Sequence, residues 1–311
     1  VASVHSTPPG PGNIGRVTTS SGAATPAEGL GLVPALLGLV RFAHTIFALP
    51  FAFAAALLAR MEVPRASLIG WITLAMVGAR SLAMALNRLI DADIDARNPR
   101  TAGRELPTGR LRHGQVVAFC AISLIVLLLA VSQLPWETWV LWPIPVAAFV
   151  LYPFAKRLTW ACHLALGLTI GLAPMGAWLA VTGGLEPAPI LLGLAVAAWI
   201  AGFDIIYALL DVDFDRAHGV HSIPARFGRR YALWTVHALH ALALALLVGA
   251  GLGAGAGAIY MAGVGACALV LAWENLLATS RDERRVQAAF GQANGLLALL
   301  YLAFVLAEVT L

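Results

Sequence analysis

Charge is what this chain lacks most. Only 12% of its 311 residues are Asp, Glu, Lys or Arg, and Lys156 is the single lysine. A soluble domain carries about 25% charged residues. Here 60% of residues are hydrophobic and the mean hydropathy is +0.83. A water-soluble globule of this length could not hide so much apolar surface, because a large share of any globule faces water. Disorder of the bulk is excluded for the opposite reason, since it needs low hydrophobicity and high charge. Cysteine is scarce too. Cys120, Cys162 and Cys267 all lie inside apolar runs, which excludes a disulfide framework and a cysteine zinc cluster. What remains is an all-α, polytopic membrane protein.

Residues 1–29 are rich in Pro, Gly, Ser and Thr and read as a disordered tail. The chain starts at Val1 rather than Met, which reads as processing or a cut edge. No signal peptide is expected, because the first apolar run begins only near Leu30 and lacks a cationic flank. Residues 30–311 form the expected transmembrane domain. Nine apolar runs there are long enough to cross a bilayer, at about 20 residues each. They are roughly 31–58, 67–90, 115–134, 138–154, 160–182, 188–210, 231–251, 256–278 and 287–309. The fourth contains Pro143 and Pro145 and is expected to kink.

Basic residues set the orientation. Loops after the even-numbered spans hold fourteen, from Arg97 to Arg285, and the other loops hold only Arg60 and Arg65. The even loops are therefore expected in the cytoplasm. The membrane itself is expected to be a prokaryotic inner (plasma) membrane. The pI of 9.3 needs no nucleic-acid partner, because topology alone explains the arginines.

The acidic residues are unevenly spread. Seven of the eight aspartates fall in two windows, 91–95 and 204–215. The first reads Asn87-x3-Asp91-x3-Asp95, which puts the three side chains on one helical face, drifting about 40° per step. Arg80 lies two turns back on that face. The second places Asp204, Tyr207, Asp211 and Asp215 on one stripe. Each stripe starts inside an apolar run and ends at the expected cytoplasmic edge. A carboxylate within a membrane costs at least ~2.5 kcal/mol near the centre. Two converging stripes also repel unless a cation sits between them. Asp and Asn oxygens suit Mg²⁺, which is usually completed by substrate phosphates. Mn²⁺ is the natural substitute. Arg97, Arg100, Arg104, Lys156 and Arg157 suit phosphate oxygens. The pattern reads as a diphosphate held through Mg²⁺ at the membrane face. A single Asp-rich helix end would be an ordinary solvated end. Asp93 and Asp213 fall off the stripes and take that bland reading.

These motifs resemble the UbiA superfamily of intramembrane prenyltransferases. The resemblance rests on the Asn87 motif with its continuation Asn98-Pro99-Arg100-Thr101-Ala102-Gly103-Arg104, on Tyr152-Pro153-Phe154-Ala155-Lys156-Arg157, and on Asp204-x2-Tyr207-x3-Asp211-x3-Asp215. It covers residues 31–309. Within the superfamily the chain is most similar to 4-hydroxybenzoate polyprenyltransferases. His221-Ser222-Ile223-Pro224-Ala225-Arg226-Phe227-Gly228 resembles the branch of the futalosine route to menaquinone. His221 stands where many relatives have lysine.

The resemblance implies nine helices around a central cavity, with both Asp motifs facing across its mouth. It implies that a polyprenyl diphosphate prenylates a ring carbon of an aromatic acid, in quinone biosynthesis. Asn87, Asp91, Asp95, Asp211 and Asp215 would hold the metal. Arg80, Arg100, Arg104, Lys156, Arg157 and Asp204 would bind substrate. Tyr152 and Tyr207 would face the allylic cation, and an apolar wall would keep water from quenching it. Arg41 would meet the acceptor's carboxylate or form a structural ion pair. The acceptor is a hydroxybenzoate or a dihydroxynaphthoate; both fit the same chemistry. An ion-coupled transporter is the alternative of a different class, but it needs polar groups near the midplane, and these carboxylates crowd one face.

Other residues have blander readings. Arg88 is taken as rotated off the motif's face and snorkelling. Glu274-Asn275 is expected to bond between helices. His44 reads as packing, His237 and His240 as no metal site, and Trp136, Trp139 and Trp142 as an interfacial belt.

Overall fold

A computed structural model describes residues 31–40, 48–280 and 282–311. Among these, every regular element is helical. In chain order they are α1 Leu32–Leu39, α2 Ala48–Leu58, α3 Ala66–Arg97, α4 His113–Val131, α5 Trp136–Leu141, α6 Pro143–Leu158, α7 Cys162–Thr182, α8 Pro187–Ala208, α9 Val212–His218, α10 Ile223–Ala254, α11 Ala258–Thr279, α12 Glu283–Ala288 and α13 Asn294–Thr310. A π-helical turn, Ala289–Ala293, joins the last two.

Eight helical stretches are long and apolar enough to span a membrane. The expected first span, 31–58, holds α1 and the short apolar α2. Between them, residues 41–47 lie outside the described residues, and Arg41 and His44 with them. So does the tail.

The breaks follow local chemistry. Helix α5 stops at Leu141, and α6 restarts with Pro143 in its first turn, where a missing N–H costs nothing. This is the expected kink. Gly183 and Gly255 end α7 and α10 with φ of 74°, a conformation that a side chain would strain. Helix α3 has 32 residues, about 48 Å at 1.5 Å per residue. That exceeds a ~30 Å hydrocarbon core, so α3 is long enough to carry Asp91 and Asp95, in its last turns, beyond the apolar layer.

Helix α8 is the most enclosed element, buried along most of its length between α7 and α10. Small residues permit this. Gly167 and Gly171 of α7 lie against the backbone carbonyls of Ala197 and Gly193 of α8. Such small-residue contacts replace the hydrophobic drive that lipid removes. Polar latches join the later helices: Trp199 Nε1 donates to Asn294 Oδ1 at 2.7 Å, and Asn294 Nδ2 donates to Glu274 Oε1 at 2.9 Å. His240 Nδ1 meets Asn275 Oδ1 at 3.0 Å. The expected interhelical bonding of Glu274 and Asn275 is therefore present. Trp136 and Trp139 are exposed, as a belt requires, but Trp142 turns inward and lines a cavity.

The α7–α8 contact carries a prediction. Gly171→Val forces a side chain onto the Gly193 carbonyl, and overpacking of this kind costs about 1–3 kcal/mol. Its melting temperature in detergent should fall clearly. Gly265→Ala, which meets nothing within 4 Å, should leave the melt unchanged.

Candidate active site

The first stripe forms as its spacing demands. On α3, Asn87 Nδ2 donates to Asp91 Oδ2 at 2.7 Å. Asp91 and Asp95 are buried, at 1% and 4% exposure. Each has a cation. Lys156 Nζ lies 2.6 Å from Asp91 Oδ2, and Arg104 Nη1 lies 2.6 Å from both Asp95 oxygens. Arg88 corrects its sequence reading. It is 6% exposed, and its Nη1 is 4.0 Å from Asp95 Oδ2. It faces the carboxylates and does not snorkel. Asp93 is exposed, in keeping with its place off the stripe.

The second stripe is not one continuous helix. Helix α8 ends at Ala208, and Asp211 caps the short α9 from a non-helical conformation, φ −114°. Asp211 and Asp215 still fall one turn apart, with Asp215 N–H donating to Asp211 O at 2.8 Å. Asp213 is exposed.

The loop after α3 ties the stripes together. Asn98 Oδ1 accepts the Arg100 N–H at 2.9 Å, and Thr101 Oγ1 donates to Asp95 O at 3.0 Å. Folded this way, the loop returns Arg104 to Asp95 and sends Arg100 across to Asp211. Arg100 Nε donates to Asp211 Oδ1 at 2.9 Å, and a second guanidinium nitrogen bonds Oδ2. Asn98 Nδ2 adds a bond to Asp211 Oδ1 at 3.1 Å. The guanidinium also lies 4.3 Å over the Tyr207 ring and donates to its hydroxyl. Burial opposes the Arg100 charge, but its bonds to Asp211 and Tyr207 outweigh it and raise the pKa.

Asp215 has the weakest match. Its bond comes from the Ser222 hydroxyl, at 2.8 Å. Burial pushes its pKa up to about 6; Ser222 pulls against this, and nearby Asp211 adds to it. Lys156, bonded to Asp91, is within electrostatic reach of Asp215 as well, so it stands between the two stripes. Arg157 donates to the Ile90 carbonyl and, with Lys156, Asp93, Arg97 and His218, lines a polar cleft.

Behind the stripes lies an apolar chamber of about 300 Å³ between α3, α4, α5, α6 and α7. Its walls are residues such as Met76, Leu127, Phe149, Ile170 and Leu179, and Trp142 stands at the end away from the stripes. Arg80 and Tyr152 are on its wall. Tyr152 has Asp91, Arg88, Asp204 and Arg80 as electrostatic neighbours, so the chamber's polar end abuts the first stripe.

Three pairings escape sequence reasoning. Asp204 meets His163, with Asp204 Oδ2 at 2.7 Å from Nδ1. Ser222 meets Asp215, and Asn98 meets Asp211. Only Ser222, near its partner in sequence, left any local signal. His221 contributes backbone here, its N–H donating to Lys156 O at 2.8 Å.

The donor chemistry suits a hard divalent cation: carboxylate and amide oxygens, with Asp91 Oδ1 buried and lacking a hydrogen-bond partner. Among the described residues, no three His, Cys, Asp or Glu side chains are gathered into a metal-binding group. Arginine, lysine and serine groups bond the carboxylates instead.

A helical membrane bundle, with a carboxylate-and-cation mouth over an apolar chamber, defines an integral membrane protein. Residues 48–304 match the UbiA prenyltransferase family. The chain belongs to that family and is a prenyltransferase. It is 28% identical to the 4-hydroxybenzoate octaprenyltransferase of Aliivibrio fischeri, over 74% of this chain and 80% of that one. A UbiA homolog from Aeropyrum pernix K1, solved in its apo form, superposes with a TM-score of 0.77 at 34% identity, over 85% of this chain and 98% of that one. A UbiA homolog from Archaeoglobus fulgidus, solved bound to GPP and Mg²⁺, shares the fold with a TM-score of 0.65 at 18% identity, over 89% and all of the two chains.

The Arg88 placement is testable. Removing one partner of a buried charge pair costs about 3–5 kcal/mol. Arg88→Ala should therefore lower the melting temperature markedly, whereas exposed Arg97→Ala should not. Equal melts would return Arg88 to the surface.

Proposed function

We propose that this prenyltransferase moves a polyprenyl group from polyprenyl diphosphate to a ring carbon of an aromatic acid of the 4-hydroxybenzoate type, in quinone biosynthesis, with Mg²⁺ or Mn²⁺. The observation that carries this is the join between the buried carboxylate–cation cluster and the apolar chamber. A prenyl diphosphate has the same two parts. The relative's 4-hydroxybenzoate activity supports the acceptor class, and the GPP and Mg²⁺ bound to the archaeal homolog support the donor and metal.

Asn87, Asp91 and Asp95 from one stripe, and Asp211 and Asp215 from the other, would hold the metal. When bound, it supplies positive charge to the departing diphosphate. The chain's own residues do the rest. Arg100, Arg104, Lys156 and Arg157 exchange carboxylate or carbonyl partners for phosphate oxygens, so charge developing on the leaving group meets preorganised cations. Arg80 sits where the head of the substrate enters the chamber. The Tyr152 ring lies at that end to face the allylic cation, and Tyr207 does so once Arg100 turns to phosphate. The apolar wall keeps water from the cation, and the aromatic ring attacks it. Arg41 is left to meet the acceptor carboxylate, and residues 31–58 to supply a ninth crossing.

Purified protein given Mg²⁺, geranyl diphosphate and 4-hydroxybenzoate should form a C-prenylated acid, detected by mass spectrometry. EDTA should abolish it. Asn at Asp91, Asp95, Asp211 or Asp215 should cost at least about 10²–10³ in rate, with Asp93→Asn within about tenfold of wild type. Turnover undiminished in EDTA would sink the metal reading. Protons compete with the metal for Asp215, so the Mg²⁺ concentration needed for half-maximal activity should rise as pH drops through about 6. Ser222→Ala removes the bond that lowers that pKa and should shift the rise to higher pH.

The mouth is proposed to face the cytoplasm of a prokaryotic plasma membrane. Cysteine placed at exposed Ala217 should resist impermeant label in intact cells, and cysteine at exposed Glu186 should react. The reverse pattern would invert the topology.

A further inference from the structure

Asp204 differs from the other stripe aspartates. It lies a full turn inside α8, and its partner is a histidine. His163, in the first turn of α7, is 3% exposed. Its Nδ1 lies 2.7 Å from Asp204 Oδ2, and its Nε2 accepts the Ile223 backbone N–H at 3.3 Å. An accepting Nε2 carries no proton, so the ring proton is on Nδ1 and is donated to Asp204. The ring is pinned at both nitrogens and cannot swing. Among the described residues nothing bonds Asp204 Oδ1, and the side chain keeps 27% exposure, so that oxygen is open. Tyr152, on the chamber wall, has Asp204 among its electrostatic neighbours. An oriented carboxylate with one free oxygen therefore stands beside the place where prenyl transfer would occur.

We infer that Asp204 is the base that removes the ring proton after the carbon–carbon bond forms, and that His163 is its positioning residue. The inference rests on the prenyl-transfer reading above. Bond formation leaves a ring carbon that carries both the new prenyl group and its original hydrogen, with the positive charge spread over the ring. Asp204 Oδ1 takes that hydrogen as a proton. The C–H electron pair returns to the ring and restores aromaticity. Asp204 ends as a neutral acid and gives its proton to water as product leaves. His163 keeps its own proton throughout and holds Oδ2, so Oδ1 faces the ring.

The test uses an acceptor deuterated at the carbon that is prenylated. In wild type, proton loss follows the difficult ionisation, so the isotope effect on kcat should be near one. Asp204→Asn should lower kcat by about 10²-fold and bring an isotope effect well above one, because proton loss now limits the rate. His163→Ala should show the same signature in milder form. His163→Asn, whose amide N–H can stand in for Nδ1–H, should recover most of the rate. The His163 pair keeps the test decisive if Asp204→Asn fails to accumulate. Wild-type rate in Asp204→Asn would overturn the inference. So would slow variants with an isotope effect near one, or a His163→Asn as slow as His163→Ala. A wild-type protein that prenylates no aromatic acid would instead overturn the underlying reading.

Discussion

Carboxylates at the edge of a bilayer must be matched by positive charge, and much of this structure follows from that demand. An isolated carboxylate there is expensive, and a buried pair with one partner removed is worse than no pair. Asp91 has Lys156, Asp95 has Arg104 and Arg88, and Asp211 has Arg100. The chain has few charges, yet four of its cations gather here. The loop after α3 takes its shape from the same need, since it must deliver Arg104 to one stripe and Arg100 to the other.

The same pairing makes the site responsive. Each cation can bond a carboxylate or a phosphate, and each carboxylate can bond a cation side chain or a metal. Metal and diphosphate arriving together would exchange partners throughout the cluster and leave no charge bare. Either one arriving alone would strand part of it. On the proposed prenyl-transfer reading, selectivity for the complete metal–diphosphate head would follow from this pairing, and the chamber behind it would take the apolar tail.

Much of this was legible in the sequence. The apolar runs, the break at Pro143, the first stripe and the exposed Asp93 and Asp213 all follow from local periodicity and propensity. The inward placement of Arg88 has a geometric reason. The residue lies about 100° from Asn87 on a helical wheel, but the stripe drifts about 40° per step, so by Asp95 it has nearly reached Arg88's direction. The pairing of 88 with 95, seven residues apart, follows from that drift. Asp211 and Asp215 stay one turn apart only because α9 starts directly after Asp211, its N-cap, beyond the break at Ala208. His163 and Asp204 are 41 residues apart, and no pattern within one helix joins them. Their meeting depends on how closely α7 and α8 approach, which the glycines permit without announcing which side chains will touch.

Calorimetric titration of Mg²⁺ into purified protein, with and without a non-reactive prenyl diphosphate analogue, tests the central claim most directly. Cations already holding the carboxylates should make Mg²⁺ alone bind weakly. The analogue should tighten it by about 5–150-fold, and Mg²⁺ should tighten the analogue by the same factor. An Mg²⁺ affinity unchanged by the analogue would contradict the exchange of partners.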